Sequence, residues 1–371
     1  MNLTCILPLN QKGMPLNHPE SFDNATAETT SPFKWLRERI QIKPWHLLLG
    51  TGISLLLLWL SFRGVSFAEI QASLSDLKWG FVILGIFLSI AGTLARGARW
   101  RLLYAPDHKL LSYFKVVKIL FISQMVNDLV PARAGELVRM LLMRPVSMAS
   151  TLGTIAVEKL LDMLTLLAFL LVLPLSLSPP DWFRNAGQAF TLMVLALFLI
   201  SLLIFFSKEK LLRWLSSLLR FIPKRWGDRV GRWLDKALAI LDVLKKPILG
   251  LRLQGWSFLI WTLGALMNLA LFWAFDFTLP PFASIFLMLV LQLGIAVPST
   301  PGKLGVFQYL VILALSTYGV EKDLALSASL VLYGMAFGPH FLFGAVFALQ
   351  ESARFRHMLP ELAKTKPKLD E

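Results

Sequence analysis

Charged side chains occur in a part of this sequence that is otherwise strongly apolar. Eight lie between residues 127 and 162, namely Asp128, Arg133, Glu136, Arg139, Arg144, Glu158, Lys159 and Asp162. A charge at the centre of a bilayer costs about 2.5–3.5 kcal/mol on insertion scales, so such residues normally face a polar interior. Arginines can bind phosphate through a planar fork, and carboxylates can balance charge or carry protons. The cluster therefore favours a function over a purely structural role.

The spacing of these residues predicts two pairs. Glu136 and Arg139 are three residues apart, within pairing reach on one helix face. Glu158 and Asp162 are four apart, so two carboxylates share a face. Their repulsion and partial desolvation would let the pair take and release a proton near neutral pH. The alternative is structural: these acids and Lys159 form ion pairs that only hold helices together, with Arg96, Arg133 or Arg139 as partners.

Further cations lie near the ends of apolar segments. Arg96 and Arg99 share a helix face beside Trp100, a residue expected at the headgroup level. They are either phosphate ligands or a positive anchor whose side chains reach the interface. Lys303, between two glycines, is expected to contact an anion. Gly334 and Gly338 have the GxxxG spacing that is typical of close helix packing.

The composition excludes a soluble protein. Of the 371 residues, 56% are hydrophobic and only 16% are charged, with a mean hydropathy of +0.63. A soluble chain carries about a quarter charged residues. One cysteine, Cys5, excludes an internal disulfide framework, and the five scattered histidines have no metal-binding spacing. We therefore expect no metal and no other cofactor.

The apolar segments predict an all-α polytopic membrane protein. Two segments, 112–145 and 283–318, are each interrupted by proline and glycine near the middle. We interpret them as two oppositely oriented re-entrant helical hairpins. About six full transmembrane helices are predicted at 45–62, 79–95, 150–173, 186–206, 255–275 and 324–349. The predicted domains are a disordered tail 1–33, a membrane domain 34–350 and a cytoplasmic tail 351–371.

The distribution of basic residues supports this topology. With both interrupted segments re-entrant, one side holds 25 Lys and Arg in loops 34–44, 96–111, 207–254 and 350–371. The other side holds 4, in loops 63–78, 174–185, 276–282 and 319–323. Cytoplasmic loops collect Lys and Arg, so both termini are predicted to be cytoplasmic. This accounts for most of the net charge of +14 and makes a nucleic-acid partner the weaker explanation.

The loop 207–254 has apolar residues at helical spacing with basic residues between them. This pattern predicts two amphipathic helices in the cytoplasmic interface, held by apolar burial and by attraction to anionic lipid. Their role is either structural or regulatory.

The interrupted segments share a short internal repeat. Residues 130–137 (VPARAGEL) and 297–304 (VPSTPGKL) agree at four of eight positions. Proline and glycine can break a helix and reverse the chain, and a helix that begins after such a turn offers free amides to an anion. The residues predicted to form the hairpin turns are Pro131, Pro298, Pro301, Gly305 and Gln308. Opposed broken helices are typical of inverted-repeat transporters, although ordinary proline kinks are the alternative.

Taken in order, four stretches resemble the transmembrane region of lysylphosphatidylglycerol synthases and its stand-alone, flippase-like relatives. The stretches are 96–100 (RGARW), 127–139 (NDLVPARAGELVR), 158–162 (EKLLD) and 298–308 (PSTPGKLGVFQ). Relatives commonly have Glu where this chain has Gln308, and Arg where it has Lys159. The resemblance covers about residues 40–350. It implies movement of lipids, or a place in polyprenyl-sugar, hopanoid or phospholipid pathways, in a bacterial-type plasma membrane.

We therefore expect a transporter that binds an anionic phospholipid or polyprenyl-phosphate headgroup, and not an enzyme. About twenty residues follow the last predicted crossing, so the resemblance does not imply lysyl transfer for this chain. The predicted headgroup ligands are Arg96, Arg99, Asn127, Arg133, Gly135, Arg139, Gly302 and Lys303. Glu136, Glu158 and Asp162 are predicted to balance charge or relay protons. The alternatives are a membrane transferase acting on a lipid phosphate and a non-catalytic partner of a cell-envelope biosynthesis enzyme.

Overall fold

A computed structural model gives the fold of the protein. It describes residues 44–104, 111–130, 134–143, 146–172, 246–294 and 301–364, together with 192, 195 and 196. Every regular element in these ranges is helical, which confirms the all-α prediction. The predicted tail 1–33, nearly all of the crossing 186–206 and most of the loop 207–254 lie outside the described residues.

Ten α-helices can be followed in the described ranges. They are α1 Pro44–Phe62, α2 Phe67–Ser75, α3 Trp79–Leu102, α4 Tyr113–Leu129, α5 Ala134–Leu142, α6 Met148–Val172, α7 Pro247–Ala274, α8 Phe282–Gly294, α9 Val306–Ser316 and α10 Lys322–Lys364. A 3₁₀ turn, Pro301–Lys303, lies between α8 and α9. Pro339 lies inside the 43-residue α10 and removes one backbone hydrogen bond there.

Three described helices are long and apolar enough to cross a membrane. They include α3, α7 and the part of α10 from Lys322 to Ser352. If the bent pair formed by Gly52–Phe62 and α2 is taken as one span, the candidate spans number four in the described residues. The predicted crossing 150–173 is the 25-residue helix α6. Every 18-residue stretch of α6 includes three charged residues, so its apolar character is weaker than its length suggests.

Several helices run beyond the apolar stretches from which the crossings were predicted. Helix α3 continues through Arg96 and Arg99, which the sequence placed in a loop. Helix α7 begins at Pro247, within the predicted cytoplasmic loop, because proline suits the first turn of a helix. Part of the predicted tail 351–371 belongs to α10, which ends at Lys364. The predicted outer loop 63–78 contains α2.

Residues at the start of α10 hold the 78° bend between α1 and α2. The Lys322 Nζ donates to the carbonyl oxygens of Leu60, at 2.8 Å, and Arg63, at 2.6 Å. The neighbouring Asp323 accepts a hydrogen bond from the Ser66 amide, at 3.3 Å, just before α2 begins. A helix leaves its last carbonyls and first amides unpaired, and these two side chains satisfy both ends.

We expect Lys322→Met to lower the free energy of unfolding by about 1–2 kcal/mol, since it removes charge-assisted hydrogen bonds from the end of α1. Thermal unfolding in detergent measures this change. Lys78→Met is the matched control, because Lys78 pairs with Asp276 at an exposed position and such pairs contribute about 0–1 kcal/mol. Equal melting temperatures for the two variants would contradict the proposed role of Lys322.

The helices pack so that α3 lies along α7, and α10 lies along α4. Apolar side chains from α7, α8, α9 and α10 form the larger core cluster, with Phe272, Phe286, Leu315 and Leu332 at its centre. The GxxxG prediction for Gly334 and Gly338 was wrong. Both residues are exposed, and a Cβ added at either one meets no described atom within 4 Å.

Candidate functional site

Polar residues on one face of α6 create a buried polar site. Their spacing of three and four residues places them in line along the helix, as Thr151, Thr154, Glu158, Asp162 and Thr165. This polar face of α6 packs against α3 and α7. Gln254 of α7, for example, donates to the Thr165 Oγ1 at 2.8 Å. An apolar helix can carry such a stripe in a membrane only if neighbouring helices satisfy it.

Arg99 is the centre of the charged cluster and is only 1% exposed. Its Nη1 lies 2.5 Å from the Asp162 Oδ1 and 2.7 Å from the Ser257 Oγ. Its Nη2 lies 3.3 Å from the Asp162 Oδ2 and 3.4 Å from the Glu158 Oε1. A single guanidinium group thus joins both carboxylates of α6 to α7, and the planar fork of arginine suits this geometry.

Arg139 of α5 completes the cluster. Its Nη2 lies 2.6 Å from the Glu158 Oε2, and its guanidinium carbon lies 4.1 Å from the centre of the Trp100 ring. Trp100 is fully buried, and its indole nitrogen donates to the Thr154 Oγ1 at 3.0 Å. A cation above a desolvated indole face is stabilised by about 2 kcal/mol. Trp100 is therefore buried among helices, and its predicted depth at the headgroup level stays a prediction.

Among the described residues, the site has more positive than negative charge. Arg96 interacts electrostatically with Asp162, Glu158, Arg99 and Arg139, but it makes no hydrogen bond or ion pair with any other described residue. These five residues contribute three cations and two carboxylates. The Nε atoms of Arg99 and Arg139 are also buried, and within the described ranges they have no hydrogen-bond partner. Buried donors and one surplus cation suit an anionic ligand.

The predicted pairing of Glu136 with Arg139 was wrong. Arg139 pairs with Glu158 on another helix, whereas Glu136 lies 4.0 Å from the Lys159 Nζ. Glu158 and Asp162 share a helix face as expected and both contact Arg99, whereas their proton exchange stays a prediction. The structural alternative, in which Glu158 pairs with Arg139 across helices, is the one observed.

Side chains of α4 stabilise the chain break that follows this helix through hydrogen bonds. The Gly135 amide donates to the Asn127 Oδ1 at 2.8 Å, and the Ser123 Oγ donates to the Gly135 carbonyl at 2.9 Å. A Cβ on Gly135 would collide with the Ser123 carbonyl oxygen, so only glycine fits here. Asn127 and Gly135 therefore hold the turn, and their predicted headgroup contact stays a prediction. Pro131 and Arg133 lie outside the described residues.

Asn127→Ala should weaken this turn by about 1 kcal/mol, because the first amides of α5 lose a side-chain acceptor. Asn127→Asp keeps an acceptor oxygen at the same place and is the matched control. The fraction of each variant that survives heating in detergent measures the difference. If both variants behave alike, the Asn127 oxygen does not stabilise the turn.

The second interrupted segment turns at three positions with positive φ: Gly302 at 78°, Lys303 at 57° and Gly305 at 83°. The Gly305 amide donates to the Gln308 Oε1 at 2.7 Å, which caps the start of α9. The Tyr333 hydroxyl donates to the Gly302 carbonyl at 2.9 Å. Of the predicted turn residues, Gly305, Gln308 and the backbone of Pro301 lie at the break between α8 and α9, whereas Pro298 lies outside the described residues.

A second charged cluster lies where the two interrupted segments meet. Asp128, near the end of α4, is 5% exposed. Its Oδ1 lies 3.6 Å from the Lys303 Nζ, and its Oδ2 lies 3.1 Å from the His340 Nδ1 of α10.

Sequence reasoning missed three residues of the two clusters, His340, Ser257 and Trp261. The Trp261 indole nitrogen donates to the Asp162 Oδ1 at 3.1 Å. The sequence could have marked His340 as a candidate site residue, because it is a histidine inside an apolar segment.

The structure thus brings together five predicted site residues at the α3–α6 cluster, namely Arg96, Arg99, Arg139, Glu158 and Asp162. Lys303 belongs to the second cluster instead. Among the described residues, no group of three or more His, Cys, Asp or Glu side chains could hold a metal ion.

Comparisons with known proteins agree with this architecture. The family described as "Lysylphosphatidylglycerol synthase TM region" matches residues 47–344. The chain is also 22% identical over 326 residues to the UPF0104 membrane protein PH1989 of Pyrococcus horikoshii, covering 82% of this chain and 96% of that protein. No solved structure matches. The match spans both interrupted segments and both charged clusters, so this multi-pass integral membrane protein belongs to the family of the lysylphosphatidylglycerol synthase transmembrane region.

Proposed function

We propose that the protein moves an anionic lipid across the membrane, and that the phosphate of its headgroup binds at Arg96, Arg99 and Arg139. The observation that supports this proposal most directly is the surplus guanidinium group of Arg96 beside a buried ion-pair cluster. In this proposal the protein is a transporter and not an enzyme. The acyl or prenyl chains stay in the bilayer while the headgroup passes through the polar interior.

The charges of the cluster favour a phosphate over a neutral headgroup. Asp162 and Glu158 neutralise two of the three arginines, so one positive charge remains for a ligand. The two Nε–H groups of Arg99 and Arg139 are donors that an acceptor-rich phosphate can satisfy. Here the carboxylates act as fixed counter-charges that orient the arginines, and proton exchange is not their role.

We further propose that the two interrupted segments are re-entrant hairpins of opposite orientation that form an inverted repeat with about six full crossings. Support comes from the contact of Asp128, at the first break, with Lys303, at the second. Broken backbone at membrane depth is tolerated only against protein or a watery cavity, and here each break lies against the other. The loop charges support the proposal that both termini are cytoplasmic, and a bacterial-type plasma membrane is part of the same proposal.

Arg96→Gln tests the headgroup site without breaking an observed ion pair. In proteoliposomes with tail-labelled phosphatidylglycerol, we expect the variant to move lipid about 10–100-fold more slowly, the loss expected for one charge-assisted contact. Its melting temperature should match that of the wild type. Arg252→Gln is the matched control, because Arg252 is exposed on α7 and makes no ion pair with a described residue.

The lipids in the assay separate the alternatives. Labelled phosphatidylcholine, which has no net charge, should cross no faster than in empty vesicles. A parallel assay with labelled polyprenyl phosphate shows whether the transported phosphate belongs to a glycerolipid or to a prenyl lipid. If neither anionic lipid crosses faster than in empty vesicles, the transport proposal is wrong. A new covalent lipid product would favour a transferase instead.

A further inference from the structure

The contact between the two chain breaks contains a titratable pair that the headgroup site does not use. Asp128 is held between His340 on one side and Lys303 on the other, with its two oxygens divided between them. The Asp128 and His340 side chains are 6% and 14% exposed, whereas Lys303 is 29% exposed. One carboxylate thus faces two basic groups, and the more accessible of the two is the lysine.

We propose that His340 and Asp128 form a proton-binding site that couples lipid movement to a proton gradient, through competition with Lys303. This inference rests on the proposed function and names its energy source. With a neutral ring, the His340 Nδ1–H donates to Asp128, and the Asp128 charge is balanced by Lys303. A proton taken up at Nε2 makes the ring an imidazolium, and no other bond is formed or broken.

Protonation changes which cation neutralises Asp128. The imidazolium is held 3.1 Å from the carboxylate, closer than the lysine at 3.6 Å, so it satisfies the carboxylate directly. The cluster then carries one positive charge in excess, and the ammonium group of Lys303 becomes available to a phosphate. By linkage, the anion binds better when His340 is protonated, and His340 binds its proton better when the anion is present.

The described side chains around the pair are mainly uncharged. The elements packed around His340 contribute Phe121 of α4, at 6.4 Å between ring centres, and Ser89 of α3, which donates to the Ala336 carbonyl at 3.5 Å. Phe307 of α9 contacts Tyr333, which is bonded to the Gly302 carbonyl. Of these four side chains only the tyrosine can ionise, and its hydroxyl is a donor here. Histidine is the side chain whose charge changes between about pH 5 and 8.

Histidine NMR tests the proton site independently of transport. The full-length protein, with ¹³C-labelled histidine, is titrated in phosphatidylcholine nanodiscs with and without phosphatidic acid. The signal that His340→Gln removes should titrate, and phosphatidic acid should shift its midpoint to higher pH by about half a unit or more. Lys303→Met should leave the titration in place but abolish the lipid-dependent shift. If the His340 signal does not titrate, or the lipid does not move it, the inference is wrong.

Lys118→Met is the matched control for this experiment. Lys118 lies 5.3 Å from the Phe114 ring centre, as Lys303 lies 5.3 Å from that of Phe337, but it bonds the exposed Gln350 and not a carboxylate. This variant should keep the full lipid-dependent shift. If it loses the shift as Lys303→Met does, the coupling is not specific to Lys303 and the inference is overturned.

Transport gives the second readout. In proteoliposomes, the wild-type rate should rise as pH falls, by no more than about tenfold per pH unit because one proton is involved. His340→Gln and Asp128→Asn should each make the rate independent of pH. A pH-dependent rate that His340→Gln leaves intact would overturn the proton site while the lipid-transport proposal stands. Conversely, a correct NMR result with no lipid movement would leave the proton site and remove the transport function.

Discussion

Arg99→Met is expected to lower the free energy of unfolding by about 3–5 kcal/mol, because it leaves buried carboxylates without their cation. Asp162 loses a partner bound at both oxygens, and of the two arginines that contact Glu158 only Arg139 remains. Thermal unfolding in detergent, followed by the loss of a monodisperse size-exclusion peak, measures the effect. Arg252→Met replaces an exposed arginine, so its melting temperature should equal that of the wild type.

Two further variants separate charge from geometry at this position. Arg99→Lys keeps the charge but cannot reach both carboxylates with a planar fork, so its stability should fall between those of the wild type and Arg99→Met. Arg99→Met combined with Asp162→Asn should recover part of the loss, since one stranded carboxylate becomes neutral. The ion-pair account is wrong if the double variant is no more stable than Arg99→Met alone.

Gly305→Ala is expected to destabilise the protein by about 3 kcal/mol, since it combines backbone strain with a collision. Gly305 has a φ of 83°, which side chains rarely adopt, and a Cβ there would collide with the Ser54 carbonyl oxygen of α1. The second chain break must therefore separate from α1 to accept alanine. Apparent melting temperature and lipid transport should both fall.

Gly334→Ala is the matched control for Gly305→Ala. Gly334 lies in the interior of α10, is exposed, and has open space where its Cβ would lie. Alanine is favoured over glycine in a helix by about 0.5–1 kcal/mol, so this variant should be slightly more stable than the wild type. Equal destabilisation of both variants would show that the close approach of Gly305 to α1 does not stabilise the fold.

The sequence predicted the positions of the helices better than the contacts between them. Apolar length located α3, α7 and α10, and the proline and glycine residues correctly marked both breaks. Hydropathy could not locate their ends, because Arg96 and Arg99 look like loop residues until a neighbouring helix supplies their counter-charges. It also missed α2, whose nine residues are stabilised at one end by Asp323, 257 positions away from Ser66 in the chain.

Within the site, residue types were predictable but partners were not. Spacing along one helix suggested that Glu136 meets Arg139, yet Arg139 reaches Glu158 on another helix at 2.6 Å. For the same reason the spacing of Glu158 and Asp162 could not show that the arginine of α3 contacts both of them. His340 was missed because its partner Asp128 is 212 residues away.

Because α10 is long, a small tilt at its middle moves its end by a larger distance. About 24 residues follow His340 before the helix ends at Lys364, which corresponds to roughly 36 Å of rod at 1.5 Å per residue. Pro339 weakens the helix at the base of this arm. A tilt of about 10° there would move the far end of α10 by about 6 Å, so a small change at His340 would displace residues at the end of the helix.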